Sequence, residues 1–460
     1  MRLTRRGMLF GGAALAALPA ISASAAVPAL LTARVARMQL LPEGYGETEI
    51  WGYEGTMPGP EIRVAQGARV RRRLENALPR PTSIHWHGVR IDNAMDGVAG
   101  LTQDAVAPGA GFDYDFVAPD AGTYWYHAHN RSVEEVARGL YGALIVEEPD
   151  RPDVDREEVL ILDDWRIDPE TAQLDADFDA PHDRSHAGRT GNFIATNATY
   201  GLTGQARRNE RLRLRLINAA NARLFDLRLA GLDGWVVALD GMPLSAPARL
   251  EERLVLGPAQ RADLVVDVTA AVGERAAVDA VVDRQRLPQV VFDIGGEASA
   301  SRRPPPAPLP PNGHAMVDLT RARPLSLVME GGAMGGLRAA TLGGRQMGFR
   351  ELAGAGHFWA FNGAVGRAED PPLAELARGE HVRLTIVNDT AFPHAMHLHG
   401  MHFREIGEDG RPGPLRDTTL LFGNQSRDIA FVADNPGNWL LHCHMLSHAA
   451  SGMATRIVVS

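Results

Sequence analysis

Short runs of alternating hydrophobic and polar residues recur along the chain, and Gly, Pro, Asn or Asp bounds each run. Apolar residues at every second position predict strands with one buried face. Long stretches with the 3.6-residue period of a helix are hard to find. The pattern therefore predicts an all-β protein built from sandwiches, with strands at residues 68–74, 112–117, 211–218, 264–268 and 381–388.

Three copies of one loose pattern occur along the chain. Each copy precedes a basic, alternating strand that ends in asparagine: residues 66–70 before Asn76, 208–212 before Asn218 and 378–382 before Asn388. The copies lie much further apart than the roughly 20–50 residues of a solenoid repeat. They therefore predict three related sandwich domains.

A proline-rich stretch at residues 302–311 separates the second copy from the third. So many prolines cannot join the interior of a sheet, and they predict a stiff linker. A softer boundary is predicted near Glu148 and Pro149. The predicted limits are an N-terminal segment at 1–25, domain 1 at 26–148, domain 2 at 149–300, the linker at 301–313 and domain 3 at 314–460.

The first 25 residues have the three parts of an export signal. Arg5 and Arg6 lie in a basic start, an alanine-rich apolar centre follows, and Ala23-Ser24-Ala25 suits a cleavage site. The paired arginines resemble a twin-arginine signal, which implies the twin-arginine export machinery as a partner, and an ordinary secretion signal is the alternative. Both interpretations predict a periplasmic or secreted protein, and no later run is apolar enough to span a membrane.

The composition excludes several classes of protein. A net charge of −9 argues against binding to nucleic acid or to anionic membranes. All 47 basic residues are arginine, so chemistry that needs a lysine amine, such as Schiff-base catalysis, is not available. The single cysteine, Cys443, excludes an intrachain disulfide. With 16 histidines in the chain, imidazole is the main candidate for metal ligation.

The histidines are concentrated in His-x-His motifs. Random placement of the histidines predicts about half of one such motif, whereas the chain contains four: His85/His87, His127/His129, His397/His399 and His442/His444. Residues i and i+2 of a strand face the same side, so each motif offers two imidazoles to one point. Because eight imidazoles exceed what one metal ion binds, the motifs predict a multinuclear site.

Cys443 lies between the two histidines of the last motif. The alternation of a strand sends His442 and His444 to one face and Cys443 to the other, so one strand contacts two different sites. His448 and Met453 follow nearby, and His394 precedes the third motif. One thiolate, two imidazoles and a thioether form the ligand set of a blue-copper site, whereas structural zinc and iron–sulfur sites need more cysteines. These residues predict copper.

Four motifs, in this order, resemble those of the three-domain multicopper oxidases, in particular the laccase-like bacterial ones. They are residues 85–88 (His-Trp-His-Gly), 125–129 (Trp-Tyr-His-Ala-His), 394–400 (His-Ala-Met-His-Leu-His-Gly) and 442–453, which contain His-Cys-His, His448 and Met453. The resemblance extends over nearly the whole chain after the signal. It implies three consecutive cupredoxin-like Greek-key β-sandwich domains.

The resemblance also implies four copper ions and their ligands. The type 1 ion is assigned to His394, Cys443 and His448, with Met453 as the axial ligand. The type 2 ion is assigned to His85 and His397. The type 3 pair is assigned to His87, His127, His129, His399, His442 and His444. In the family, electrons from the donor pass from the cysteine through the backbone to its histidine neighbours, and dioxygen is reduced to water at the interface of the first and last domains.

The chain departs from the family around its last ligand. Many relatives have acidic residues on both sides of the type 1 histidine, whereas this chain has Ser447 and Ala449. Asp96 matches the other acid of the family, and we predict that it delivers most of the protons that dioxygen reduction consumes. The alternative for Asp96 is a purely structural role in a turn before Gly97. Asp96 and Cys443 are the predicted catalytic residues.

The sequence does not identify the electron donor. Phenols or similar one-electron donors are the leading prediction, and the alternatives are oxidation of Cu(I), Fe(II) or Mn(II) in metal homeostasis or a non-catalytic role in the cell envelope. The methionines Met329, Met334 and Met347 are predicted to fill cores rather than bind ions. His182 and His186 are predicted to lie in a solvated loop, with metal binding as the alternative. The other four histidines are predicted to be structural or at the surface: His314, His357, His381 and His402.

Overall fold

The computed structural model describes residues 28–367 and 370–460, so the predicted export signal lies outside the described residues. Domain 1 packs two four-stranded sheets, with strand orders β2-β1-β4-β6 and β3-β8-β7-β5. Its helices are a 3₁₀ turn at Asn93–Met95 and α1 at Ser132–Ala137. Its strands are β1 (Ala29–Met38), β2 (Thr48–Tyr53), β3 (Ile62–Ala65), β4 (Arg69–Asn76), β5 (Ile84–His87), β6 (Gly111–Val117), β7 (Gly122–Ala128) and β8 (Tyr141–Glu147).

Domain 2 has a six-stranded sheet, β12-β9-β14-β19-β16-β17, and a five-stranded sheet, β13-β21-β20-β15-β18. Strands β10 and β11 form a separate hairpin, and the domain contains the helix α2 (Pro181–Ser185). The strands are β9 (Arg156–Trp165), β10 (Ile167–Asp168), β11 (Gln173–Leu174), β12 (Phe193–Thr196), β13 (Thr203–Arg208), β14 (Arg211–Asn218), β15 (Phe225–Ala230), β16 (Leu232–Leu239), β17 (Met242–Arg249), β18 (Leu254–Leu256), β19 (Arg261–Val268), β20 (Arg275–Val282) and β21 (Gln285–Glu297).

Domain 3 repeats this plan with the sheets β25-β22-β27-β32-β29-β30 and β26-β34-β33-β28-β31. Its helices are α3 (Phe349–Gly354) and α4 (Leu446–Ala449). The strands are β22 (Arg323–Gly331), β23 (Ala339–Leu342), β24 (Arg345–Gly348), β25 (Trp359–Phe361), β26 (Ala374–Leu376), β27 (Glu380–Asp389), β28 (His394–Leu398), β29 (Phe403–Ile406), β30 (Pro412–Arg416), β31 (Thr418–Leu421), β32 (Ser426–Ala433), β33 (Gly437–Cys443) and β34 (Ala454–Val459). No helix among the described residues is long and apolar enough to cross a membrane.

The loose sequence repeat corresponds to one structural position in each domain. Strands β4, β14 and β27 each pair in parallel with the first strand of their domain, which is β1, β9 or β22. The turns before the three strands contain Gly67, Asn209 and Gly379, all with positive φ, the region that favours glycine and asparagine. The all-β prediction and the five predicted strands are therefore confirmed.

The asparagine that ends each repeat strand holds a buried corner. In Asn388, the side-chain amide donates to the backbone oxygens of Phe392 and Phe422, and Oδ1 accepts from the backbone nitrogen of Thr390. Asn76 and Asn218 bond their own corners in the same way. Short side-chain amides can supply both donors and acceptors to a tight bend, which explains why the motif ends in asparagine.

Domains 1 and 3 share one hydrophobic core, domain 2 has a core of its own, and a third hydrophobic cluster joins domain 2 to domain 1. The shared core extends from Trp86 and Tyr126 in domain 1 to Trp439 and Met453 in domain 3. The contact between the two domains is therefore packed like a domain interior. The proline-rich stretch forms no strand and lies against domain 2, where Leu309 is buried beside Trp235.

A buried carboxyl on α1 makes the stability of the fold depend on pH. Glu135 is only 1% exposed, and the Thr82 hydroxyl donates a hydrogen bond to its Oε2. Burial raises the pKa of Glu135 to about 8. The folded chain therefore holds this proton between the ordinary glutamate pKa and about pH 8, whereas the unfolded chain loses it, so stability falls as the pH rises through that window.

We expect Glu135→Gln to abolish this fall. The variant should match the wild type near pH 4.5 and exceed its unfolding free energy at pH 8 by a few kcal/mol, since one pKa unit corresponds to about 1.4 kcal/mol. Denaturant titrations at the two pH values measure the difference. The control is Glu134→Gln, because the Glu134 carboxylate is paired with Arg80 and Arg138 and its loss should not stabilise the fold at pH 8. Parallel pH profiles for Glu135→Gln and the wild type would contradict the prediction.

Candidate metal centres

Two strand pairs bring the four His-x-His motifs together. In domain 1, β5 and β7 are antiparallel, and their register places His85 opposite His127. In domain 3, β28 and β33 are antiparallel, and His397 lies opposite His442. In three motifs the second histidine follows directly after its strand: His129, His399 and His444.

The imidazoles of domains 1 and 3 form two interleaved triads and a pair. In the first triad the ring centroids lie 5.0–5.8 Å apart, and its members are His87, His127 and His444. In the second the centroids lie 5.2–5.6 Å apart, and its members are His129, His399 and His442. The two remaining rings, of His85 and His397, are 5.8 Å apart. Each group combines residues of both domains, so the rings surround a common centre at the domain interface.

Hydrogen bonds to the outer ring nitrogens leave inner nitrogens free. Nδ1 of His85 donates to the backbone oxygen of Asp96, and Nδ1 of His397 donates to that of Asp417, both over 2.9 Å. Because a carbonyl oxygen can only accept, these contacts place the proton on Nδ1 and a lone pair on Nε2. Both Nε2 atoms are buried without a hydrogen-bond partner among the described residues. Such unpartnered, preoriented nitrogens fit a metal ion.

Burial and mutual repulsion favour the neutral form of several clustered imidazoles. Burial lowers the pKa of His127 well below its usual value, and the neighbouring His85 and His129 lower it further. The same two kinds of cause lower the pKa values of His399, His442 and His444. Since neutral imidazole is the form that binds metals, the cluster has the protonation state that a metal site needs.

Asp96 lies inside this cluster. Its side chain is fully buried, with Oδ2 3.0 Å from Nδ1 of His399 and Oδ1 3.1 Å from Nδ1 of His85. Gly97 follows with a positive φ, and a Cβ there would collide with the backbone oxygen of Ile84. Asp96 therefore belongs to a tight turn and also contacts the two histidines, because the turn brings its carboxylate to the imidazole rings.

A second, separate group lies on the other face of β33. Nδ1 of His394, Nδ1 of His448 and Sγ of Cys443 are mutually 3.1–3.8 Å apart, and all three side chains are fully buried. These are the separations expected between ligands that each lie about 2.0–2.3 Å from one metal ion. The donor set of two imidazoles and one thiol is that of a trigonal copper site.

The outer nitrogens of this group are also held. Nε2 of His394 lies 2.9 Å from the Thr390 hydroxyl, and Nε2 of His448 donates over 2.7 Å to the backbone oxygen of His186, in domain 2. Met453 is buried, and its backbone bonds to both Cys443 and His448, so the thioether belongs to the same short segment as two of the donors. Thr390 lies at the Asn388 corner, which therefore also positions His394.

The protonation of Cys443 depends on a metal. Burial raises the pKa of the Cys443 thiol to about 12, so the sulfur holds its proton when no cation is near. A thiolate is the metal-binding form, and a bound cation displaces the proton. A metal ion held by this group would therefore displace one proton from Cys443.

Comparison with known proteins decides the family. Three sequence profiles, each described as multicopper oxidase, match residues 34–151, 156–281 and 348–460. The chain is 31% identical to the Multicopper oxidase MmcO of Mycobacterium tuberculosis, over 94% of this chain and 86% of that protein. The chain belongs to the multicopper oxidase family.

Solved structures agree with this multicopper oxidase assignment. The multi-copper oxidase from Pseudomonas thermotolerans is 34% identical, with a TM-score of 0.81 over 94% of this chain and 98% of that one. Lac15, from a marine microbial metagenome, is 40% identical, with a TM-score of 0.76 over 94% of this chain and the whole of that one. The predicted family, cupredoxin fold and copper-dependent oxidoreductase activity are therefore confirmed.

Residues of this multicopper oxidase outside the predicted ligand set have mixed roles. Met329 and Met347 are buried as predicted, but Met334 is 75% exposed and fills no core. His182 lies in the helix α2 rather than in a loop, and its ring stacks on that of His186, which follows the helix, with ring centroids 4.0 Å apart. Other histidines predicted to be structural or at the surface include the half-buried His314 and the buried His402, whose ring centroids lie 4.9 Å apart.

Sequence reasoning missed the groups that hold the outer nitrogens. The His186 carbonyl belongs to another domain and is a backbone atom, so its side chain carries no signal. Asp417 contacts His87 and His397 only because β28 and β31 pair with His397 opposite Thr418. No motif marks that register, so the contact becomes visible only in the fold.

Proposed function

We propose that this multicopper oxidase binds four copper ions at the residues described above. The type 1 ligands are His394, Cys443, His448 and Met453. The type 2 ligands are His85 and His397. The type 3 ligands are the two triads, namely His87, His127 and His444, and His129, His399 and His442. When bound, copper at these sites would accept single electrons from a donor and supply four of them to dioxygen, which is reduced to two water molecules.

One observation carries the proposal: a three-residue segment joins the two centres. Cys443 faces the mononuclear group, and its neighbours His442 and His444 each belong to a different triad. The backbone on either side of Cys443 therefore provides two short covalent routes for electrons. A protein that only stored copper would not need such a link between an outer and an inner site.

Dioxygen reaches the inner site through a cavity of about 390 Å³. His129 and His442, both from the second triad, are among the residues that line it, as are Glu134 and Ala449. Ala449 stands where many relatives have an acid, so that position offers no proton donor here. Asp96, which contacts His85 and His399 within the cluster, is the carboxylate that we place in the proton supply.

Phenols and similar one-electron donors are the proposed substrates. The electron entry point is Nε2 of His448, which the His186 carbonyl covers, so a donor meets the surface of α2 rather than the imidazole itself. The second candidate is oxidation of Cu(I), Fe(II) or Mn(II). The exposed Met334 favours this second candidate. The residue before it, Ala333, donates its backbone N–H to the backbone oxygen of Ser185 in α2, so Met334 lies near the surface that a donor would meet.

We also propose that the chain is exported by the twin-arginine route to the periplasm or beyond. The support is the basic start with Arg5 and Arg6, the short apolar centre and the small residues at 23–25. That route carries folded proteins, which suits a chain whose cluster needs two docked domains. A chain with Arg5 and Arg6 both changed to Lys should stay in the cytoplasm; normal export of that variant would leave only an ordinary secretion signal.

The test is dioxygen consumption by the copper-loaded, full-length mature chain with a phenol, Cu(I), Fe(II) and Mn(II) in parallel. We expect four copper ions per chain, a blue absorption band, and four phenols oxidised for each dioxygen consumed. Met334→Leu distinguishes the donors, because it should slow Cu(I) oxidation only if Met334 binds that ion. A colourless protein with fewer copper ions, or one that consumes no dioxygen with any donor, would overturn the proposal.

A further inference from the structure

Asp417 contacts the two histidines of the cluster, His87 and His397, that the Asp96 carboxylate does not contact. Its Oδ1 accepts from Nε2 of His87 over 3.3 Å, and it lies 3.5 Å from Nδ1 of His397, which donates to the Asp417 backbone oxygen. Carboxylate and carbonyl oxygens only accept, so Asp417 places the proton on the outer nitrogen of both rings. The inner nitrogens, Nδ1 of His87 and Nε2 of His397, have no hydrogen-bond partner among the described residues.

Arg261 from domain 2 holds the Asp417 carboxylate. Its Nη1 donates to Oδ1 over 2.9 Å and its Nη2 donates to Oδ2 over 2.6 Å, and both side chains are at most 1% exposed. The fork of a guanidinium fixes the plane of a carboxylate in a way that a single ammonium cannot. The orientation of the carboxylate between the two rings is therefore set by a residue of β19.

The same guanidinium joins all three domains. Nε of Arg261 donates to the backbone oxygen of Thr123 on β7, two residues before Trp125 and four before His127. Gly88, next to His87, leaves room for the pair, because a Cβ there would collide with both Arg261 and Asp417. Buried charges destabilise a fold unless they are fully paired, so Arg261 and Asp417 must fit closely beside Gly88.

We propose that Arg261 and Asp417 are positioning residues of the trinuclear cluster. Through them domain 2, which contributes none of the proposed ligands, sets the orientation of His87 and His397. The inference rests on the proposed ligand roles of those two histidines. A merely structural pair would hold the domains together and leave the type 2 centre unaffected.

Domain 2 offers a matched control for the loss of a buried arginine. Arg211, on the neighbouring strand β14, is also 1% exposed and makes a bidentate pair with Asp267. This pair lies within domain 2, and none of the hydrogen bonds or ion pairs that the structure gives Arg211 involves a proposed ligand. Arg211→Gln therefore removes an equivalent buried ion pair without reaching the cluster.

The experiment loads the full-length mature wild type, Arg261→Gln, Arg261→Lys and Arg211→Gln with Cu(II). The readouts are the blue type 1 band, the type 2 electron paramagnetic resonance spectrum, the copper retained after dialysis against a chelator, and thermal unfolding of the copper-free chains. We expect Arg261→Gln to keep the blue band, to show an altered type 2 spectrum, and to bind type 2 copper about tenfold to a hundredfold more weakly. Arg261→Lys keeps the charge but loses the fork, so its loss of affinity should be smaller.

Arg211→Gln should lower the unfolding temperature and leave the type 2 spectrum and affinity at wild-type values. A wild-type type 2 centre in both Arg261 variants, or an equal disturbance in Arg211→Gln, would show that the pair is only structural and overturn the inference. If Arg261→Gln does not fold, Arg261→Lys is judged by the same criterion. A wild-type chain with neither a blue band nor a type 2 signal would instead overturn the proposed function, and this inference with it.

Discussion

Cys443→Ser is expected to remove the blue absorption band and abolish turnover while the chain keeps its fold. The change deletes the only thiolate donor of the mononuclear group, and a serine hydroxyl does not replace it as a ligand for copper. The covalent route through His442 and His444 remains, but no electron enters it. The side chain is small and buried, so we expect the unfolding free energy of the copper-free protein to fall by no more than about 3 kcal/mol.

Absorption spectra, copper content and dioxygen consumption together measure this result. The expected pattern is a chain that has lost the type 1 ion and retains the inner three. Ser447→Ala is the control, because Ser447 is buried in the same segment and its hydroxyl has no hydrogen-bond partner among the described residues. It should stay blue and active. A Cys443→Ser protein that remained blue would show that the cysteine is not the ligand.

Asp96→Asn is expected to have the second largest effect. The amide keeps the shape of the side chain and removes the carboxylate that contacts His85 and His399. We expect dioxygen reduction to slow about a hundredfold, the lower range for loss of a positioned proton donor. The loss should grow as the pH rises, because solvent then supplies fewer protons to replace the missing group.

Stopped-flow oxidation of the fully reduced enzyme by dioxygen, followed across a range of pH, measures this step. Asp92→Asn is the matched control, since Asp92 is exposed, caps the 3₁₀ turn of the same loop, and can be replaced there by asparagine. The rates test the proton role of Asp96 only if Asp96→Asn binds as much copper as the wild type. Unchanged rates at every pH would show that Asp96 has only a structural role in the turn.

The fold could be predicted largely from local pattern. Alternation and turn residues placed strands such as β14 and β27, because each strand is short and has polar residues at its ends. The repeat predicted three domains, because the same corner is built at Asn76, Asn218 and Asn388. The shared core of domains 1 and 3 could not be predicted, since it arises from contacts between residues more than 200 positions apart.

For the site, likewise, some features follow from local sequence motifs and others from contacts between residues far apart in the chain. The His-x-His spacing and the lone cysteine are local features, so the sequence alone indicates the proposed ligands. The division into triads depends on which domain faces which, and the sequence could not supply it. Arg261, Asp417 and the His186 carbonyl act from distant positions in the chain, and no spacing relates them to the motifs.

Each triad mixes histidines from the beginning of the chain with histidines from its end. A ribosome that has finished the first two domains has supplied only half of the cluster, so metal cannot be retained there until the last strands are made. Assembly of the cofactor would thus require that domain 3 has been made and has docked against domain 1. Copper bound at this junction would also hold the two domains together, and its removal should loosen their docking before either sandwich unfolds.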